Sequence, residues 1–211
     1  IVSAARTAMG SFQGGFSSLT AANLGAEAIK AAVARAGIDA NLIEEVLMGC
    51  VLQAGQGQAP ARQAALQAGL PLTAGCATIH KVCGSAMKAT MLGHDGILAG
   101  SYGAAVVGGM ESMTNAPYLL AKARGGYRMG NDTLIDSMIH DGLWCAFEME
   151  HMDHWLKAEP EFAATAVYLV DPDRVQGFDV QKPDTWGEYA PQPLADKGIR
   201  TIAPPLFALV T

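Results

Sequence analysis

Val46-Leu47-Met48-Gly49-Cys50-Val51-Leu52 is a run of seven residues with no polar side chain alternating through it. A strand with one wet face alternates in polarity, whereas an unbroken apolar run is what a strand covered on both faces requires. The chain therefore needs layers. Ile1 to Ala5, Ala77 to Val82 and Ala104 to Gly109 are further short strand-like segments, and helical patterns separate them. From Leu24 the residues Leu24, Ala28, Ile29, Ala32, Val33 and Ala36 share one helical face, with Thr20 or Asn23 as N-cap and Gly37 as C-cap. Pro60 suits the first turn of a second helix, whose Ala61 to Ala68 body closes at Gly69, and a third helix runs from about Gly84 to Ala99. This alternation predicts an α/β fold: a mostly parallel sheet, right-handed crossovers, and helices packed on its faces.

The third helix carries Gly93 and Gly96 in its body, and interior glycine costs about 0.5 to 1 kcal/mol relative to alanine. Close packing would offset that cost, because Ala86, Ala89, Gly93 and Gly96 let a neighbouring element approach; a buried helix between two sheets is the expectation. After Gly109 the chain leaves the core. Met110 to Asn115 leads to Pro117 and to Arg124-Gly125-Gly126-Tyr127-Arg128, which reads as an interaction loop. Beyond Glu159 helical periodicity is scarce, and Phe162 to Val170 and Leu206 to Val210 are the strand-like pieces. The reading divides the chain into a core at 1–112, a loop segment at 113–152 and a tail at 153–211.

Composition excludes several classes. Half of the residues are hydrophobic and 16% charged, so a disordered acidic or basic tail is ruled out. A net charge of −6 without a Lys/Arg cluster argues against nucleic acid as a partner. The sequence predicts no membrane span and no signal peptide, and a soluble protein of the cytoplasm or an organelle matrix is expected. Four scattered cysteines predict reduced thiols. His151 and His154 stand three apart and could bracket a metal on one helical turn, but no third ligand cluster accompanies them, so no metal site is expected.

Lys81-Val82-Cys83-Gly84-Ser85-Ala86 places a cysteine where a buried strand gives way to a helix. Helix N-terminal N–H groups and the positive end of the dipole favour a thiolate, and the same N–H groups can hold the oxygen of an acyl thioester. Free cysteine is also among the most buried residue types. On spacing alone, nucleophile and inert core thiol both stand. Cys50, in an apolar run, reads as core.

Five blocks in order carry a resemblance: Ile1 to Gly10, the Gly49 to Gly55 strand and turn, Pro60-Ala61-Arg62-Gln63-Ala64-Ala65, the Cys83 string, and Gly108-Gly109-Met110-Glu111-Ser112-Met113. Together with Arg124 to Gly130, Asp141-Gly142-Leu143 and His151-Met152, they resemble the N-terminal half of the thiolase family, of the acetyl-CoA acetyltransferase kind, over about residues 1–152. The resemblance implies a layered α-β-α half and acetyl transfer between coenzyme A thioesters in fatty acid metabolism. It implies Cys83 as the acyl-accepting nucleophile, with Leu143, His151 and Met152 lining the site for the pantetheine and thioester end of coenzyme A. Without it, His151 reads as a surface histidine on a polar helix end and Met152 as a filler of core gaps. Acetyl-CoA, acetoacetyl-CoA and coenzyme A are the implied substrates, with no metal or redox cofactor. Residues near 115–130 are implied in tetramer contacts. Half a layered fold also leaves an apolar face to cover, so a homo-oligomer, dimer or tetramer, is expected. The family's second half carries a Gly-His-Pro histidine and a Cys-x-Gly-Gly-Gly cysteine, and neither motif occurs in these 211 residues. The alternative to an enzyme is therefore a thiolase-like module that binds coenzyme A or assembles without catalysis.

Overall fold

The computed structural model describes residues 1–152 together with the backbone of residues 166–170. Four strands run in one direction: β1 (Ser3–Arg6), β2 (Glu45–Gly49), β3 (Gly75–Ile79) and β4 (Ala105–Gly109). Three helices connect them in sequence: α1 (Ala21–Ala36), α2 (Pro60–Gln67) and α3 (Ser85–Leu98). Two short hairpins follow, β5 (Tyr118–Leu119) with β6 (Ile135–Asp136), and β7 (Trp144–Cys145) with β8 (Glu150–His151). The strand β9 (Ala166–Val170) then returns to the main sheet, whose order is β1-β9-β4-β2-β3. It pairs antiparallel with both β1 and β4, Ala5 opposite Val167 and Val107 opposite Tyr168. The sheet is thus mostly parallel, as predicted, with one reversed strand in its interior that comes from the stretch read as a tail.

The order explains where each helix lies. The steps β1 to β2 and β2 to β3 go one way across the sheet and β3 to β4 goes back, so crossovers of one hand put α1 and α2 on one face and α3 on the other. The packing follows suit. Val46, Met48 and Val106 join Ile29, Ala32, Ala61 and Ala64 in one cluster, while Leu47, Ala105 and Val107 join Ala86 and Ala89 in a second. Strand residues alternate between the two, which is why β2 reads as continuously apolar.

Helix α1 begins where a capping box closes: the Thr20 side chain accepts from the Asn23 N–H, and Asn23 accepts from Thr20 N–H. Gly37, at φ +64°, ends it in the left-handed region. Helix α3 differs from expectation. Ser85, Ala86, Ala89 and Gly93 are buried against the sheet, but Met87, Met91 and Leu98 are exposed, so a single sheet covers one side. The small residues do permit close approach: a Cβ at Gly49 would lie 2.7 Å from the Ala86 nitrogen, and one at Gly109 would lie 2.8 Å from Ala86 Cβ.

Candidate active site

The parallel strands β2, β3 and β4 end side by side, and the turns leaving their carboxyl ends build one small site. In open α/β sheets this edge is where ligands bind. Strand β2 leads to Val51 and Leu52, β3 to Val82 and Cys83, and β4 to Glu111 and Met113. These six residues, with Gly142 and Leu143 from the later segment, line a pocket of about 20 Å³, room for one water-sized or methyl-sized group.

Cys83 is exposed, and its chain path is tightly held. The predicted strand stops at Ile79 rather than Val82, because Val82 turns into the left-handed region at φ +46° and leaves the ladder. A β-branched residue is costly there, so its neighbours must hold it. Ser85, fully buried, does so with one hydroxyl: Oγ accepts from the Lys81 N–H at 2.8 Å and donates to the Val82 carbonyl at 2.6 Å. His80 Nδ1 accepts from the Val82 N–H at 3.2 Å. The turn ends at Gly84, the N-cap of α3, with Cys83 immediately before it. The thiol therefore stands at the mouth of a 14-residue helix whose first-turn N–H groups have no partner within the helix. A thiolate attacking a carbonyl here would have a positive dipole end beside the developing oxyanion.

Leu143 belongs to the pocket with Cys83. It ends a π-helical turn, Met138–Leu143, in which Gly142 packs on Leu52; a Cβ at Gly142 would come 3.1 Å from Leu52 Cδ2. His151 and Met152 are tied to Leu143 but do not line the pocket. The Met152 N–H donates to the Leu143 carbonyl at 2.7 Å, and the His151 ring stands edge-on to Trp144 with centroids 6.5 Å apart. Both are half-buried on or beside β8, so His151 is on a hairpin strand and not a helix end. His154 lies outside the described residues, and among the described residues no group of three His, Cys, Asp or Glu could hold a metal.

The reading from sequence missed Glu111. It is 2% exposed, accepts N–H groups from Val51 at 2.8 Å and Leu52 at 3.1 Å, and burial pushes its carboxyl above the ordinary value. Its place directly after a buried parallel strand was the available signal. Cys50 is buried beneath it, its thiol raised by burial and by the Glu111 charge, which fits a core residue. A larger cleft, about 500 Å³, lies between the loop after β1 and helices α1 and α2, and no expected site residue lines it.

The sequence profile described as Thiolase, N-terminal domain, matches residues 1–159. The chain belongs to the thiolase family. Among thiolase relatives, the acetyl-CoA acetyltransferase of Escherichia coli is 54% identical over 153 residues, and that of Cupriavidus necator 52% over 152. Each alignment covers 72% of this chain and 39% of the relative. The solved acetyl-CoA acetyltransferase of Syntrophomonas wolfei superposes with a TM-score of 0.69 at 40% identity, covering 72% of this chain and 38% of that one. The thiolase chain described here thus spans about two-fifths of the length of the relatives it matches.

Proposed function

We propose that this chain supplies the acyl-accepting half of an acetyl-CoA C-acetyltransferase. The observation that carries the reading is Cys83: an exposed thiol at the mouth of α3, in a pocket built by the carboxyl ends of three parallel strands. The named relatives, all acetyl-CoA acetyltransferases, support the substrate class. The Cys83 thiolate adds to the thioester carbonyl of acetyl-CoA; the bond from carbon to the coenzyme sulfur then breaks, leaving coenzyme A thiolate and an acetyl-enzyme. In the second half-reaction another acetyl-CoA loses an α-proton, which balances the coenzyme A thiolate released first, and its enolate carbon takes the acetyl group as the bond to the Cys83 sulfur breaks, giving acetoacetyl-CoA and returning Cys83. Thiolysis of acetoacetyl-CoA by coenzyme A is the same path reversed. Leu143 borders the thioester end, and His151 and Met152, one hairpin further out, border the pantetheine.

Substrate chemistry requires acetyl-CoA, acetoacetyl-CoA and coenzyme A, and none of these steps calls for a metal or redox group. The exposed apolar stripe of α3 and the edge strand β3 support a homo-oligomer, and the free thiols among the described residues support a cytoplasmic location. Among the described residues no helix is long and apolar enough to cross a membrane.

Incubation with acetyl-CoA, followed by peptide mass analysis, is expected to find one acetyl group on the Cys83 peptide and none after Cys83→Ser. Acetylation surviving that substitution would refute the assignment. A coenzyme A-binding module is the second reading. Coenzyme A binding without acetyl transfer would select it.

A further inference from the structure

Glu111 is, among the described residues, the one charged side chain that is buried. Burying a carboxylate is costly unless donors surround it, and here the donors all come from the turn after β2. Oε2 accepts from the Val51 N–H at 2.8 Å, while Oε1 accepts from the Leu52 N–H at 3.1 Å and lies 3.5 Å from the Cys50 thiol. Gln56 closes the same turn, its Nε2 donating to the Leu52 carbonyl at 2.6 Å and to Cys50 Sγ at 3.3 Å. The two residues whose N–H groups Glu111 holds are the two that β2 contributes to the Cys83 pocket. Leu52 in turn packs on Gly142, next to Leu143 on the pocket's far wall. Both carboxylate oxygens are taken up by donors of this turn, so a positioning role suits the geometry better than proton transfer to a substrate.

We infer that Glu111 is a positioning residue for the Cys83 pocket: it clamps the Val51–Leu52 turn, and through Leu52 the Gly142–Leu143 wall, at a spacing that admits a methyl-sized group beside the thiol. The inference rests on the reading of Cys83 as acyl acceptor. It makes Glu111 a determinant of acyl-chain length that acts through the Val51–Leu52 turn, beyond its own place in the pocket lining.

The test uses the full chain and Glu111→Gln, which keeps the side-chain volume and one acceptor oxygen but turns an N–H2 group toward a backbone N–H. Hydrogen exchange at the Val51 and Leu52 amides is expected to quicken about tenfold or more, with β2 and β4 core amides unchanged. The second readout is Cys83 acylation by acetyl-CoA against butanoyl-CoA, followed by peptide mass. The native preference for acetyl is expected to fall about tenfold, the scale of discrimination that extra methylenes produce in a fitted pocket. Unchanged exchange overturns the clamp; quickened exchange with an unchanged ratio reduces Glu111 to a structural residue. If native Cys83 accepts neither thioester, the acyl-transfer reading falls by itself. Selectivity is then read with iodoacetamide against N-benzyl iodoacetamide at the same thiol, where the same loss is expected and its absence overturns the inference. Should Glu111→Gln fail to fold, Leu52→Ala takes its place: the Glu111 bonds stay, the contact to Gly142 goes, and a ratio that did not fall would overturn the inference.

Discussion

Val82 holds the least comfortable backbone in the site. A non-glycine residue at φ +46° costs roughly 1 to 2 kcal/mol, and its side chain is 39% exposed, so little burial offsets that cost. Glycine at this position removes the strain but raises the conformational freedom lost on folding, about 0.5 to 1 kcal/mol. Val82→Gly is therefore expected to leave stability level or raise it by up to about 1 kcal/mol, while the freed turn slows Cys83 acetylation. Denaturant titration beside the acetylation rate checks both halves; a clear loss of stability would mean that the Val82 conformation is not strained. Glu111 makes a pH prediction whose sign follows from burial. Its folded carboxyl titrates above the ordinary value of 4.5, so the folded state holds the proton longer than the unfolded chain does. Stability contributed by this group is full below pH 4.5 and declines as pH rises through the raised folded value. The native chain should lose ground to Glu111→Gln across that window and hold a constant difference above it. Paired urea midpoints measure this, since all other carboxylates titrate alike in both proteins.

At the level of elements, α3 and β2 are locked by missing side chains. A Cβ at Gly49 would lie 2.8 Å from both the carbonyl carbon and the Cβ of Ser85, which are backbone and buried atoms without room to yield. Gly49→Ala is expected to destabilise by about 1 to 3 kcal/mol, the scale of overpacking. Because Ser85 staples the turn that presents Cys83, acetylation should fall as well. A variant as stable and as reactive as the native chain would show that α3 can ride outward freely. The same elements show what a linear reading can carry. Helix α1 was legible because its caps are local: Thr20, Asn23 and Gly37 lie within one turn of the ends they close. The apolar run at 46–52 overshot β2 by three residues, because Cys50, Val51 and Leu52 are buried in a turn under Glu111, and burial looks the same in a turn as in a strand. Strand β3 lies earlier than the sequence predicts for the opposite reason: Val82 has high strand propensity, yet tertiary contacts force it into a turn. Cys83 and Leu143 could be picked out because motif residues mark them. Glu111 stands in the Gly108–Met113 block and follows a buried strand, but an acid there ordinarily reads as an exit to solvent, and only three-dimensional contact shows which N–H groups it holds. The interior place of β9 depends on long-range pairing, with β1 from the far end of the chain on one side and with β4 on the other, which periodicity does not encode.

Among the described residues, one face of the sheet is sealed by two helices and the other carries a helix whose outer side is exposed. Helices α1 and α2 seal their side of the sheet, while α3 turns Met87, Met91 and Leu98 outward in one stripe at spacings of four and seven residues. Burying a methionine or leucine side chain is worth about 1.5 to 3 kcal/mol, so three on one stripe are a strong drive to association. The match covers 39% of the Cupriavidus necator relative, so there the Thiolase, N-terminal domain stands beside further chain, and for the residues described here a second copy can meet the same need. Met91→Lys tests this, because lysine matches methionine in helix propensity and position 91 is half exposed in the single chain. The expected outcome is a fall in molar mass by sedimentation equilibrium from oligomer toward a single chain, with the far-ultraviolet dichroism unchanged. A charge placed in a dimer seam must be desolvated, whereas on an open surface it costs nothing of the kind, so the size of the shift reads how completely the stripe is covered. An unaltered mass would mean that α3 faces solvent in the assembled protein, and that the copies, where they meet, do so through the β3 edge instead.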